Sequence, residues 1–249
     1  MKIFLRIIGI VLIAMSAVML LASPLIGMIG LAVGMSIFVY SFSYKTPAQK
    51  QAEAEEKARI EAEEREAKRI ERLHKILENP IFLDTETTGL NPDKNDEMLS
   101  LSIIAKDGSV LFDQMFRPER RKTWKQAQDI NGISPAMVRK CEPFSSYADE
   151  VQEIVNASTG LIGYNVLFDL DFLYNAGIKM GQPEVDVMQL FTKKRTEKTA
   201  TERRYTLKYA AKSLGYDWND DEAHSSLYDA QATRFVYSKL LKEKEGIDL

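Results

Sequence analysis

Asp84, Glu86, Asp169, His224 and Asp229 are the side chains of this sequence that could do chemistry as a set. They fall in three short segments in a fixed order: Phe82–Leu90, Gly163–Asp169 and His224–Ala230. Four carboxylates offer the hard oxygen ligands that divalent Mg or Mn prefers. One imidazole can take a proton from water. Together they make up the inventory for two-metal phosphodiester cleavage. Taken singly, each signal is weak. An Asp-x-Glu pair is commonly surface charge, an acid near a helix start commonly complements the helix dipole, and a lone His is commonly structural.

The elements around these residues have to bring them together. Ile81-Phe82-Leu83 reads as the start of an apolar strand, which puts Asp84 and Glu86, two apart, on one face. Thr87-Thr88-Gly89 then turns, so the acids sit at the strand's carboxyl end, where α/β ligand sites cluster. Asn165 is placed to cap a helix that follows a strand, with Asp169 in its first turn. Asp171 is about 200° away on that helix and points elsewhere. His224 and Asp229, five apart, do not share a helix face. His224 therefore belongs to the loop before the last helix and Asp229 to its first turns.

The full pattern predicts an α/β domain from Asn79 to Leu249. Strands are predicted at Ile81–Leu83, Met98–Ala105, Val110–Phe116, Gly160–Tyr164 and Glu184–Val187, with Asp107-Gly108 as a hairpin turn. Helices are predicted at Thr123–Asn131, Pro135–Lys140, Tyr147–Ala157, Val166–Ala176, Met188–Lys193, Leu207–Leu214 and Ser226–Glu243.

The 249 residues carry a net charge of −3 and a single cysteine, Cys141, so there is no disulfide framework and a reducing compartment suits the chain. Composition divides the chain into three parts: 1–44, 45–78 and 79–249. Ile7–Tyr44 is a run of 38 uncharged residues. One bilayer span takes roughly 20 residues, and the run is too long for a signal-peptide core of about 7–15. Ser23-Pro24 breaks it near the middle. The expectation is a helical hairpin, Ile3–Ala22 and Leu25–Tyr44, that anchors the chain in a membrane. Lys2 and Arg6 precede it and Lys45 and Lys50 follow it, which places both ends, and the remaining chain, in the cytoplasm, as for a multi-pass protein of a bacterial inner membrane. Gly30-x-x-x-Gly34 gives the second helix a small-residue face, suited to packing the hairpin or a dimer.

Ala48–Glu78 is nearly all Ala, Glu, Lys, Arg and Gln, a charged helical spacer that would reach roughly 45 Å. Pro47 suits its first turn and Asn79-Pro80 its end. Glu53/Lys57, Glu55/Arg59, Glu61/Arg65 and Glu64/Lys68 are spaced as supporting ion pairs. Ile60, Ala67, Ile70, Leu73 and Leu77 form at most a sparse self-association seam, and a solvated single helix is preferred. His74 reads as a surface residue.

In combination, the three segments resemble the exonuclease motifs of the DEDDh exonuclease family, which includes the proofreading epsilon subunit of bacterial DNA polymerase III. The likeness covers about Asn79–Lys244. Ile130–Pro135 resembles the family's His-Gly-Ile-Thr segment, and Tyr205-Thr206-Leu207-Lys208 the segment before the last motif. The resemblance implies a ribonuclease H-like fold: a mixed five-stranded sheet flanked by helices. It implies two divalent cations, Mg or Mn, held by Asp84, Glu86, Asp169 and Asp229, with His224 as general base. It implies that Thr87 and Leu90 meet the terminal nucleotide. The reaction implied is hydrolysis of the terminal phosphodiester at a 3' end, releasing 5'-mononucleotides. Two positions depart from the family pattern: Asn131 and Tyr164 stand where His is common. Neither is an implied metal ligand, so substrate handling is what the departures touch.

Residues 79–249 hold 22 Lys and Arg against 27 Asp and Glu, a net of −5, which argues against a broad duplex-binding face. Single-stranded nucleic acid is the expected partner, DNA favoured over RNA. Two basic clusters remain, Arg117–Lys125 and Lys193–Arg204. The second reads as a mobile polar loop, either merely solvated or a clamp on a single strand. The alternatives to an exonuclease are a catalytically lapsed binding or scaffold module and an endonuclease on a similar fold.

Overall fold

The computed structural model describes residues 2–43, 45–199 and 204–247. Tyr44, at the end of the predicted anchor, and Ala200–Arg203, in the predicted basic loop, lie outside the described residues, as does the side chain of Leu73. The chain forms two compact units, Met1–Ile70 and Glu71–Leu249.

In the first unit, α1 (Lys2–Ala22) and α2 (Pro24–Ser43) pair as a hairpin, with Pro24 opening the second helix. The glycines of α2 face α1. A Cβ on Gly30 would fall 2.1 Å from Ser16 Oγ, and one on Gly34 would fall 2.9 Å from Ile13. The small-residue face predicted from sequence therefore packs the hairpin itself. Arg6 lies 4.1 Å over the Phe42 ring, so the two charged ends meet at one side. The outward surface is apolar, with Leu21 91% and Leu25 72% exposed.

Helix α3 (Pro47–Ile76) begins with a reciprocal cap: Gln49 N donates to Thr46 Oγ1 and Thr46 N to Gln49 Oε1. Of the four predicted ion pairs, Glu61/Arg65 forms, while Lys57 turns to Glu61 and Arg59 to Glu56 and Glu63. Such exposed pairs are worth under about 0.5 kcal/mol each, so neighbours exchange freely. Ile60 and Ile70 are exposed, but Leu77 is not available for a seam: it is buried with Phe82 and Ile104 in the core of the second unit.

The second unit is built on one sheet in the order β3-β2-β1-β4-β5, from β1 (Pro80–Thr87), β2 (Met98–Ala105), β3 (Val110–Met115), β4 (Gly160–Gly163) and β5 (Glu184–Asp186). The hairpin pairs are antiparallel, and β1/β4 and β4/β5 are parallel. The predicted mixed five-stranded sheet is therefore present. The turn at Gly108 takes φ +92°, and the Asp107 carboxylate accepts the Ser109 amide.

Alternation along β1 sorts the two cores. Ile81 and Leu83 pack with Leu101, Ile103 and residues of α6 (Ala148–Ala157) and α7 (Val166–Asn175). Phe82 packs on the opposite face with Phe191 of α8 (Val187–Thr199), Ala210 of α9 (Leu207–Ser213) and Val236 and Tyr237 of α10 (Ser226–Glu245). Short helices α4 (Lys125–Asn131) and α5 (Pro135–Val138) enclose Leu99 with Trp124, Ile133 and Val138.

Two local expectations are corrected. Asn165 precedes α7 but adopts φ +64°, ψ +43° and makes no side-chain cap. The chain turns from β4 into α7 in two residues, a bend that needs a left-handed residue, which Asn tolerates, and from that conformation the side chain cannot cap. Its amide goes instead to Asp186 Oδ1 at 3.1 Å. The predicted loop after Lys193 is helical through Thr199. Lys194 pairs with Glu243 there, and Arg195 lies over Tyr209 of α9, so α8 has partners that a composition reading cannot see.

Candidate active site

β1 pairs with β4 only from Pro80 to Phe82, while its pairing with β2 runs on to Thr87 with a register shift at Glu86/Thr87. The carboxyl half of β1 therefore has an open flank next to the start of α7, and an irregularity that re-aims its last side chains. Asp84 and Glu86 stand on this half, half-buried.

Asp169, 3% exposed, comes to the same strand end from α7. Thr85, which alternates to the α7 side, gives Asp169 Oδ1 both its amide (2.9 Å) and its hydroxyl (2.7 Å). Asp229 comes from the first turn of α10 on the other face. The start of that helix is pinned by Ser226, 3% exposed, which bonds Ser100 Oγ at 3.0 Å and Ser102 Oγ at 2.8 Å on β2. His224 precedes α10 in the left-handed region at φ +63° and is exposed. Ligand atoms of Glu86, His224 and Asp229 all lie within 4.8 Å of one another.

The acids disturb each other. Burial pushes Asp84 well above the usual carboxylate range, and the charges of Asp169, Asp229 and Glu86 push it further. Burial, then Asp229, raises Glu86 to about 8, with Asn131 drawing it partly back by a hydrogen bond. Burial raises Asp169 to about 7 against the Thr85 bonds, and raises Asp229 to about 7 against the His224 amide. Asp229 Oδ1 is buried with no hydrogen-bond partner among the described residues. Four crowded carboxylates and an orphaned oxygen fit divalent cations, whose charge would let the acids ionise together.

All five predicted residues converge. Leu90 is 83% exposed and, with Thr87, Trp124, Ile130 and Phe168, lines a cleft of ≈ 580 Å³ that also includes Glu86. The Thr87 hydroxyl is spent on Gly89 O at 2.6 Å, which shapes the turn before Leu90. A Cβ on Gly89 would meet the Asp96 carboxylate, which bonds Asn91 N and Arg121, so a larger residue there would have to displace it.

Sequence reasoning missed Asn131 as part of the site. Its amide donates to Thr87 O at 3.1 Å, accepts from Ile133 N at 3.0 Å and reaches Glu86. The signal was available in its place before Gly132 in the Ile130–Pro135 segment. Tyr164, the other departure, bonds Tyr205 O at 2.7 Å and so ties the end of β4 to the segment before α9.

The RNase_T family model, described as Exonuclease, matches residues 81–237, a span that holds every one of these groups. The chain belongs to the RNase T exonuclease family. Within it, the chain is similar to RNA exonuclease 4 of Aspergillus fumigatus, 29% identical over 172 residues, covering 68% of this chain and 52% of that protein. It is also similar to the DNA polymerase III subunit epsilon of Rickettsia conorii, 28% identical over 174 residues, covering 67% of this chain and 75% of that one. The chain thus spans about half the length of the first relative and three quarters of the second. A solved 3'-exonuclease, in a structure of 3'-end specific recognition of histone mRNA stem-loop, shares the fold at a TM-score of 0.51 and 14% identity over 67% of this chain and 64% of that one.

Proposed function

We propose that this RNase T family chain is a membrane-anchored, metal-dependent 3'-5' exonuclease that releases 5'-mononucleotides from single-stranded nucleic acid, DNA favoured. The observation that carries the reading is the meeting of Glu86, His224 and Asp229 beside Asp84 and Asp169 at one strand end. Asp84, Glu86, Asp169 and Asp229 would hold the cations. Divalent Mg or Mn bound there supplies the positive charge that polarises the phosphodiester and acidifies water.

The protein's own groups do the rest. Leu90 and the cleft around it receive the terminal nucleotide and exclude water from one side of its base. His224 accepts the proton of the attacking water on an imidazole nitrogen. Water oxygen bonds to phosphorus, the bond from phosphorus to the preceding O3' breaks, and that oxygen takes a proton from solvent to become a new 3' hydroxyl while His224 returns its proton to solvent. Thr85 holds Asp169 through both of its bonds, and Asn131 holds the Thr87 carbonyl and Glu86.

The anchor reading is supported by two helices, Lys2–Ala22 and Pro24–Phe42, long and apolar enough to cross a membrane, and by the apolar outward surface of the hairpin. On this reading Met1–Tyr44 is the anchor, Lys45–Glu78 a helical spacer, and the nuclease domain lies in the cytoplasm. Self-association would run through the outer faces of the anchor or the spacer helix, since the glycine face is occupied.

The deciding experiment is digestion of 5'-labelled single-stranded DNA and RNA by the full chain in detergent with Mg or Mn. A ladder shortening from the 3' end supports the proposal, and relative rates rank the two substrates. Binding without cleavage would mark a lapsed module, and internal cuts an endonuclease.

A further inference from the structure

In-line displacement at phosphorus sends the leaving oxygen out opposite the attacking water. Ligand atoms of His224, Glu86 and Asp229 cluster, and Asp169 is outside that group; on the proposed reading the water attacks from the His224 side and the retained strand leaves past Asp169. Asp169 sits one turn into α7, the helix that directly follows Tyr164 and Asn165 at the end of β4. Both of those residues lead to the same neighbour: Asn165 N bonds Asp186 at the foot of α8, and Tyr164 Oη bonds Tyr205 O before α9.

What stands there is a cluster of aromatic rings edged by cations. Tyr205 and Tyr209 stack at 5.0 Å and 21°, and Phe191 meets Tyr205 edge-on at 5.4 Å. The Arg195 guanidinium lies 5.3 Å from the Phe191 ring centre and 6.0 Å from that of Tyr209. Tyr209, Lys193 and Arg204 are exposed. Lys194 is paired with Glu243 and Lys208 with Asp220, whereas Lys193 and Arg204 make no ion pair among the described residues. In a domain of net negative charge, a guanidinium over aromatic rings, with the exposed Lys193 and Arg204 on the same α8–α9 segment, makes a single-strand track, with backbone phosphates on the cations and bases against aromatic surface.

We infer that the α8–α9 surface, with Lys193, Arg195, Arg204 and Tyr209 as its contacts, binds the sugar-phosphate backbone and bases of the retained strand upstream of the cleaved bond. The inference rests on the exonuclease reading for its direction. It assigns Lys193, Arg195 and Arg204 a role in holding longer substrates, separate from the cleft that takes the terminal nucleotide. On this inference a dinucleotide fills the cleft without engaging that surface.

The test compares full-length wild type with Lys193→Gln/Arg204→Gln and with Tyr209→Ala, in detergent, on a dinucleotide and on a twelve-residue single-stranded DNA. Anisotropy binding of the labelled longer strand is read alongside hydrolysis. The expected result is KM and Kd for the long strand raised roughly tenfold, with kcat and dinucleotide hydrolysis unchanged. The salt slope of log Kd should flatten by about 0.7 per cation removed. Unchanged long-strand binding and salt slope overturn the inference, as does an equal loss on dinucleotide and long strand, which would mean that the residues support the site itself. If wild type binds the long strand but cleaves nothing, the exonuclease reading fails, and the binding data still decide the surface.

Discussion

Thr85 spends both its amide and its hydroxyl on one oxygen of Asp169, at 2.9 and 2.7 Å. Because Thr85 sits between Asp84 and Glu86 but alternates to the other face, it converts a strand's two-residue period into a three-way junction. The acids of β1 face α10, and the acid of α7 is locked to the residue between them. Removing the hydroxyl in Thr85→Val leaves the amide bond in place. A hydrogen bond to a charged group is worth about 1.5–3 kcal/mol, so kcat should fall by roughly ten- to a hundredfold with KM little changed. Steady-state kinetics on a short oligonucleotide decide it; wild-type kcat would show the junction to be idle.

His224→Ala and Asp84→Ala should each remove turnover while leaving the fold intact. Loss of a general base costs about 10²–10⁴ in rate. Circular dichroism together with single-turnover hydrolysis separates the two outcomes, and wild-type rates in either variant would sink the site assignment.

The raised carboxylates make metal-free stability depend on pH. Folded Glu86 holds its proton to about 8 and Asp169 and Asp229 to about 7, whereas the unfolded chain releases them near 4. The folded state therefore binds more protons through this window. Stability is fully present below about pH 4 and is lost as pH rises toward 8. Thermal unfolding with chelator should show Tm declining across that range, and added Mg should restore it most at the alkaline end. A metal-free Tm that rises from pH 5 to 8 would contradict the crowded-acid picture.

Asn131→Ala removes the hydrogen bond that lowers Glu86 and the prop under the Thr87 carbonyl. Glu86 should then titrate higher, so the acid limb of the pH–rate profile should move to higher pH. More Mg should be needed for half-maximal rate. An unshifted profile would leave Asn131 as a loop prop only.

Deleting residues 1–44 should yield a soluble protein with intrinsic activity retained, because Glu71–Leu249 forms its own compact unit. The full chain should sediment with membranes and resist extraction by salt. Loss of activity in the fragment, with its fold intact, would argue against a simple tether.

Much of this was legible along the chain. The strand reading of Ile81–Leu83 placed Asp84 and Glu86 on one face, and the loop reading of His224 separated it from Asp229, because both arguments need only local period. Where the reading failed, the partner was far away in sequence. Asn165 gave up its cap to make a left-handed turn, α8 ran past Lys193 because it packs on residues beyond it, and Leu77 left its seam for the core.

The sequence by itself determined which groups are present, their order, and the apolar and charged character of the first 78 residues, since these follow from side-chain chemistry and short-range geometry. Only tertiary structure decided how they meet. It brought Asn131 under Glu86, bound Thr85 to Asp169 across 84 positions, and turned the glycines of α2 onto α1. Such contacts are set by which faces of which elements are buried against each other, and no local stretch of chain carries that information.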